Sequence, residues 1–167
     1  MELERIKINI VGHFFGTSGY CTHTRSLANA LYEYADVRIE TQFPENWQQL
    51  VNDKELEMLN KKFSHEMITI FIGHPQVLPL VWANNPKTVI PFVIWEGSSV
   101  PKYWLKFLTD ERIKLILVPS LHVKQAIENT LSPKNIITDM SLKIDKINFL
   151  SKIKIAHHGV DLDLFKP

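Results

Sequence analysis

Residues 6–34 have the sequence IKINIVGHFFGTSGYCTHTRSLANALYEY. It opens with a β-branched apolar run that ends at Gly12, and a loop rich in glycine, serine and threonine follows. Over residues 20–34, Leu27 and Leu31 are among the apolar residues that recur with helical spacing. The stretch therefore predicts a buried strand, a Gly-rich turn and a helix.

Short apolar runs alternate with helical segments along the rest of the chain. The runs 37–41, 67–72, 88–95, 114–118 and 153–156 are predicted strands, and 47–62, 102–108 and 121–130 are predicted helical segments. Such runs are typical of parallel strands covered by helices on both faces. We therefore predict an α/β fold: a Rossmann-like, doubly wound, mostly parallel sheet with helices on both faces. The length of 167 residues fits a single domain, 1–167, and the polar stretch 132–151 receives no assignment.

Composition and charge exclude several function classes. Nineteen Lys and Arg residues against eighteen Asp and Glu give a net charge of +1, which is too balanced for a dedicated nucleic-acid binder. The single cysteine, Cys21, excludes an internal disulfide. The first residues lack the apolar core of a signal peptide, and no apolar run approaches the ~18 residues of a membrane span. We expect a cytoplasmic protein that is at most peripheral to a membrane.

Function is expected at the carboxyl ends of the strands, because ligands of doubly wound sheets bind there. The segments that follow the predicted strands are 12–19, 73–75, 95–99, 119–120 and 157–159. Segment 12–19 joins the first strand to the first helix, where glycines let backbone N–H groups approach a phosphate. Its glycine spacing is not G-x-G-x-x-G, which disfavours a nicotinamide cofactor. The alternatives are a turn without a ligand, and Ser18 acting only as a helix cap.

Two histidines fall near these strand ends. His23 lies at the start of the first helix, where it could hydrogen-bond a sugar hydroxyl or a phosphate; the alternative is a surface histidine. His74 follows the third strand and could accept or relay a proton near neutral pH, although Gly-His-Pro is equally typical of a tight turn. The neighbouring His157 and His158 point to opposite faces if they continue a strand, and we predict no metal site.

Glu96 is the most informative single residue. It directly follows the apolar run that ends at Trp95, where burying a carboxylate would be costly. A buried Glu96 would titrate upward and act as a base toward a hydroxyl, and an ionised one would accept hydrogen bonds from sugar hydroxyls. The alternative is capping of the helix that begins after Pro101.

The segment 101–108, PKYWLKFL, is aromatic, basic and helical. Such a segment could rest on anionic lipid headgroups, so a membrane surface is a candidate partner. The alternative is that Trp104, Leu105 and Leu108 pack into the domain, as a short helix requires.

Taken together, these segments resemble the N-terminal domain of a GT-B glycosyltransferase of family 4. The blocks that carry the resemblance are the opening strand and loop through Ser18-Gly19-Tyr20, the pair Trp95-Glu96 with Pro101 and Trp104, the step Val118-Pro119-Ser120, and His157-His158-Gly159-Val160-Asp161 with 164–167. The last block is similar to the family's hinge signature, with histidine at position 158 where the family usually has asparagine.

The resemblance implies the N-terminal, acceptor-binding half of an enzyme that transfers a sugar from a nucleotide-sugar donor to a saccharide or lipid-linked acceptor. Gly16 and Gly19 would face the donor diphosphate, and Glu96 would stand where many members have a histidine that touches the sugar. We take Glu96 and His74 as candidate catalytic residues. The candidate substrate-binding residues are Gly16, Ser18, Gly19, Tyr20, His23 and Ser120, and the candidate hinge residues are Gly159 and Asp161.

The family's donor-domain motif, Glu-x7-Glu, has no match in this sequence, so the donor domain is expected in a further segment or a separate chain. No cofactor is expected, and this chain alone should be inactive, because one half cannot enclose both substrates. The alternative function is a non-catalytic α/β binding module that acts through a partner chain. A nicotinamide-dependent oxidoreductase is a third hypothesis, which the glycine spacing disfavours.

Overall fold

A computed structural model describes residues 5–41, 51–131 and 144–159. Within these residues the strands are β1 (Lys7–Gly12), β2 (Asp36–Thr41), β3 (Ile68–Ile72), β4 (Thr88–Phe92), β5 (Ile116–Val118) and β6 (Ile153–Ile155). The helices are α1 (Gly19–Tyr32), α2 (Asp53–Asn60), α3 (Leu78–Ala83), α4 (Lys102–Leu108), α5 (Leu121–Thr130) and α6 (Lys146–Ser151), with a 3-10 turn at Pro75–Val77.

The strands form one sheet in the order β2-β1-β3-β4-β5-β6, and every neighbouring pair is parallel. Ile10 of β1 lies in register with Ile39 of β2 and Ile70 of β3. The chain leaves β1 toward one edge of the sheet and leaves β3 toward the other. The predicted doubly wound α/β fold is confirmed, and the point where the strand order reverses lies between β1 and β3.

Two apolar cores cover the sheet. Alternate residues of β1 serve different cores: Ile8 and Ile10 join Ala28 of α1 and Met58 of α2, whereas Val11 joins the larger core. That larger core includes the buried side chains Leu78, Trp104, Leu108, Val123, Ile127 and Phe149 from α3 to α6. The side-chain period of two in a strand places Ile8 and Ile10 on one face of β1, and Val11 on the other face with the buried polar Asn9.

Several bounds differ from the sequence-based ones. α4 and α5 are confirmed as predicted, but the predicted strand 88–95 ends at Phe92; the Val93 N–H still donates to the carbonyl oxygen of Leu117 in β5, and side chains bond to the main chain after that. Within the predicted segment 47–62, the described helix covers Asp53–Asn60. α3 was not predicted, and α6 occupies the end of the unassigned stretch 132–151.

Gly12 lies where β1 passes close to both α1 and β3. A Cβ atom there would stand 2.9 Å from Thr24 Oγ1 and 3.0 Å from the carbonyl oxygen of Ile72, whereas a Cβ on Gly19 would meet nothing within 4 Å. We expect Gly12→Ala to lower the free energy of unfolding by about 1–3 kcal/mol through overpacking. The matched variant Gly19→Ala should leave it unchanged or slightly raised, since alanine reduces the entropy of the unfolded chain. Urea denaturation checks both, and equal stability of the two variants would contradict the packing.

Candidate functional site

The segments that follow β1, β3 and β4 meet at the carboxyl edge of the sheet. We call this region, made of residues 12–20, 73–75 and 93–99, the strand-end crevice. Gly12 is the last residue of β1, and Ile72 of β3 lies in register beside it. β4 continues the same edge, because its Phe92 is in register with Ile72. The crevice therefore occupies the reversal point at which doubly wound sheets bind ligands.

Tyr20 links all three segments of the strand-end crevice. Its ring centroid lies 6.1 Å from that of His13 and 5.6 Å from that of His74. Its hydroxyl donates a hydrogen bond to the carbonyl oxygen of Ile94 at 3.3 Å. Burial raises the pKa of Tyr20, and the negative charge of Glu96 raises it further. Tyr20 therefore remains a neutral hydrogen-bond donor at physiological pH, and the Glu96 carboxylate shares its electrostatic environment.

His74 is exposed yet held between aromatic rings. The centroid of its ring lies 5.4 Å from that of the Trp104 ring. The Trp104 ring in turn lies 5.0 Å from the Trp95 ring. The Trp104 indole N–H donates to Gln76 Oε1 at 2.8 Å, which fixes the ring. The result is a row of rings from Tyr20 to Trp95 along the strand-end crevice. Aromatic faces of this kind suit the C–H surfaces of a sugar ring.

The start of α1 has the features expected of a βα turn. Gly16 has a φ of 118°, a left-handed conformation that favours glycine. Ser18 is the N-cap residue, and its side-chain oxygen accepts a hydrogen bond from the backbone N–H of Cys21 at 3.3 Å. The capping alternative for Ser18 is confirmed. Gly19 has open space around its Cα, and α1 has no acidic residue in its first turn, which leaves the positive helix end unopposed.

The side chain of Glu96 is exposed, so of the two roles considered for it the structure does not provide the buried one. The physical reason is that β4 ends at Phe92, so the chain has already left the sheet when it reaches Glu96. The capping alternative is also wrong, because Pro101 occupies the N-cap position of α4 without a side-chain cap. The role of Glu96 as a hydrogen-bond acceptor for a ligand stays a prediction.

Ser120 caps α5 in the same manner as Ser18 caps α1. Its hydroxyl oxygen accepts from the backbone N–H of Val123 at 3.4 Å. His122, in the first turn of α5, was not singled out from the sequence. Its Nε2 lies 3.2 Å from the carbonyl oxygen of Glu96, which joins α5 to the strand-end crevice. No signal in the sequence marked that contact, because it joins residues 26 positions apart.

The structure pairs His23 with His158. Nδ1 of His23 lies 2.6 Å from Nε2 of His158, and the His23 ring also packs edge-on against Phe92 at 4.4 Å. The segment after β6 is thereby attached to α1. Burial lowers the pKa of His23 to about 4, with a smaller contribution from His158, and burial lowers the pKa of His158 as well. The pair is therefore neutral at pH 7, and one imidazole donates to the other.

This pairing predicts a pH dependence of stability. Because the pKa of His23 is lowered on folding, the unfolded chain binds the proton first as the pH falls from about 6.5 to about 4. The contribution of His23 to the free energy of unfolding should be fully present above pH 6.5 and decrease as the pH falls to about 4. The loss should be on the order of 1–2 kcal/mol once the partial exposure of the ring is allowed for. Urea unfolding of wild type and His23→Gln between pH 4 and 8 measures it. The same dependence of the free energy of unfolding on pH in both proteins would contradict this prediction.

Gly159 is exposed after β6, whereas Asp161, the second candidate hinge residue, lies outside the described residues. In α4, the packing alternative is confirmed: Trp104, Leu105 and Leu108 are buried, and Lys102, Tyr103 and Lys106 are exposed. Between 5 and 159, in the described ranges, no helix is long and apolar enough to cross a membrane. The same ranges hold no group of three or more His, Cys, Asp or Glu side chains placed to bind a metal ion.

A second concavity lies between α3 and α4. Its volume is about 470 Å³, and its lining residues are Pro79, Trp82, Ala83, Lys106, Phe107, Asp110 and Arg112. The Arg112 guanidinium stacks on the Trp82 ring at 3.7 Å and is held by both oxygens of Asp110. This α3–α4 cavity shares no residue with the strand-end crevice, and it provides an internal comparison for ligand mapping.

The strand-end crevice thus combines aromatic rings, an exposed carboxylate, an exposed imidazole and a helix start that has no acidic side chain in its first turn. These groups can accept hydrogen bonds from hydroxyls, stack on a sugar ring and receive a phosphate. No protein-family model, curated protein or solved structure matches this chain.

Proposed function

We propose that this chain is the N-terminal, acceptor-binding part of a glycosyltransferase that moves a sugar from a nucleotide-sugar donor to a saccharide or lipid-linked acceptor. The observation that carries the proposal is the position of Tyr20, which joins the segments after β1, β3 and β4 at the reversal point of the sheet. Around it lie Glu96 and His74, both exposed. These polar groups beside aromatic rings fit a ligand that is rich in hydroxyls.

The start of α1 suits the diphosphate of the donor. Gly16 supplies a left-handed turn, and a Cβ atom on Gly19 would meet nothing within 4 Å, so no side chain blocks the approach of an anion to the start of α1 there. The absence of an acidic residue in the first turn removes the main source of repulsion. In the proposed reaction the bond between the sugar C1 and the diphosphate oxygen breaks, and C1 bonds to the acceptor oxygen. The leaving phosphate takes the acceptor proton, so Glu96 orients a hydroxyl and need not act as a base.

The strand-end crevice is open, and a second domain must close over it before transfer can occur. Closure excludes water and aligns donor with acceptor. We therefore expect the donor domain to act in cis or in trans, and the 167-residue chain to show no transfer by itself.

The second candidate function is a non-catalytic binding module that acts through a partner chain. Two observations favour it: Ser18 and Ser120 are engaged in helix capping, and the Glu96 side chain is exposed to water rather than tuned by burial. Such a module would bind saccharides without turning them over.

A membrane surface is also proposed as a partner, since a lipid-linked acceptor would place the enzyme there. The exposed face of α4 provides Lys102, Tyr103 and Lys106 for this contact. Cosedimentation with vesicles of anionic phospholipid, compared with vesicles of phosphatidylcholine alone, tests it. Equal recovery with the two vesicle types would remove the membrane from the partners.

The test of the proposed function is acceptor-dependent release of nucleoside diphosphate by the full-length gene product from a panel of nucleotide sugars. We expect Gly19→Val to raise the donor KM about tenfold, because its side chain would fill the open space beside the start of α1. The matched control is Ser26→Val, an equally exposed position on the same helix. The absence of release with every donor, with the protein folded, would leave the binding module as the function. A donor KM that is unchanged in Gly19→Val would remove the loop from the donor site.

A further inference from the structure

The segment that follows β4, residues 93–101, contains neither helix nor strand, yet side chains bond to its main chain at five residues, and the Val93 N–H donates to the Leu117 carbonyl oxygen. The donors come largely from α1 and α5: Tyr20 Oη to the Ile94 carbonyl (3.3 Å), His122 Nε2 to the Glu96 carbonyl (3.2 Å), Asn129 Nδ2 to the Ser98 carbonyl (2.9 Å), and Trp95 Nε1 to the Ser99 carbonyl (2.8 Å). Thr130 Oγ1 accepts from the Val100 N–H (2.9 Å) and lies 3.2 Å from the Val100 carbonyl oxygen, to which it can donate.

Irregular segments at strand ends are usually mobile, because their backbone groups are bonded to water. Here side chains of α1 and α5, together with Trp95 of the segment itself, donate to the carbonyl oxygens of residues 94, 96, 98, 99 and 100, which holds this backbone without a ligand. His122 must carry its proton on Nε2, since a carbonyl oxygen only accepts.

The side chains on this fixed backbone remain available. Glu96, Ser98 and Ser99 are exposed, and none of their side chains makes a hydrogen bond with the part of the chain that the structure describes. The ring of Trp95 beside them is half-buried and packs on Trp104. A carboxylate, two hydroxyls and an indole within five residues match a neutral sugar: the carboxylate accepts from its hydroxyls, and the ring covers its C–H face.

The charge of Glu96 also distinguishes this segment from the start of α1. A carboxylate repels a diphosphate and accepts hydrogen bonds from hydroxyl groups, whereas the positive end of a helix attracts a diphosphate. Because β4 is separated from β1 by β3, the two regions lie about 10 Å apart at the usual strand spacing. The two substrates of a transferase can therefore occupy them together.

We propose that residues 95–99 form the acceptor-saccharide subsite, and that His122 and Asn129 are positioning residues that hold its backbone through the carbonyl oxygens of Glu96 and Ser98. That the bound saccharide is the acceptor rests on the proposed function, but the binding of a neutral saccharide by this segment does not require turnover.

The experiment is a saturation-transfer difference NMR titration of the full-length protein with the methyl glycosides of glucose, galactose, mannose and N-acetylglucosamine. We expect at least one glycoside to bind, and its dissociation constant to rise about fivefold in His122→Ala and to be partly restored in His122→Gln, whose amide can still donate. Glu96→Gln should weaken binding further. The matched control is Gln125→Ala, another exposed position on α5, whose side chain makes no hydrogen bond with the described residues and whose loss should leave binding as in wild type.

Amide hydrogen exchange of peptides over residues 93–101 provides the second readout. Exchange should accelerate in His122→Ala while peptides from β1 and α1 stay unchanged, which separates lost positioning from unfolding. The proposal is overturned if no glycoside binds to the wild type, or if His122→Ala binds and exchanges as Gln125→Ala does. Glycoside binding with the expected loss in His122→Ala, but without any nucleoside diphosphate release, would support this subsite and reject only the transferase.

Discussion

Replacing Glu96 with glutamine should lower the turnover number of the proposed glycosyltransferase, in its full-length form, about a hundredfold while its stability stays at the wild-type value. The side chain is exposed and makes no hydrogen bond within the described residues, so its loss removes no structural contact. A carboxylate that orients a substrate hydroxyl in the transition state contributes to the rate, and the neutral amide accepts more weakly and adds a donor in its place. Steady-state kinetics at saturating donor measure the effect.

Glu111→Gln is the control for that variant. Glu111 is also exposed, but it lies between α4 and β5, at the opposite end of the sheet from the strand-end crevice. We expect it to turn over as wild type does. Wild-type turnover in Glu96→Gln would remove Glu96 from the site, whereas an equal loss in both variants would indicate a general effect of surface charge.

Replacing Glu55 with alanine should lower the free energy of unfolding by about 3 kcal/mol, because it leaves the half-buried Arg25 guanidinium without its carboxylate. Glu55 is 1% exposed, and its two carboxylate oxygens accept from Arg25 Nε at 3.0 Å and Nη2 at 2.7 Å. The same carboxylate accepts from Asn29 and from the backbone N–H of Asn52, which completes the capping box of α2. One substitution therefore breaks both the contact between α1 and α2 and the start of α2.

Urea unfolding checks this prediction, and Glu57→Ala is the matched variant on the same helix. Glu57 is exposed and pairs with Lys61 at 3.1 Å, where water screens the attraction. Its loss should have a much smaller effect on the unfolding midpoint than the loss of Glu55. Equal midpoints for the two variants would show that the buried pair does not hold α2 against α1.

Much of the fold could be predicted from local sequence. Pro101 and Ser120 precede α4 and α5 directly, and both helices have the bounds that these signals indicate. α3 could not be predicted in this way, because Leu78–Ala83 is a single short helix with a proline at its second position. The start of α2 was predicted too early, although Asn52 and Glu55 have the spacing of a capping box.

The candidate site was predictable only in part. The rule that ligands bind beyond parallel strands placed Tyr20, His74 and Glu96 in one region, and the strand order puts their segments side by side. The pairs Tyr20 with Ile94 and His23 with His158 depend on contacts across 74 and 135 positions, which no local pattern encodes. The exposure of Glu96 could not be read from the sequence, because the strand end was predicted three residues too late, and an apolar run does not show where strand pairing stops.

In the proposed function, both substrates bind in the strand-end crevice. Hydrogen exchange of the full-length protein tests it most directly, with and without a panel of nucleoside diphosphate hexoses together with the methyl glycosides. We predict that at least one combination slows exchange in peptides over residues 12–20, 73–77 and 93–101, and leaves the peptides lining the α3–α4 cavity unchanged. Protection confined to that cavity, or no protection of the crevice with any combination, would contradict the claim.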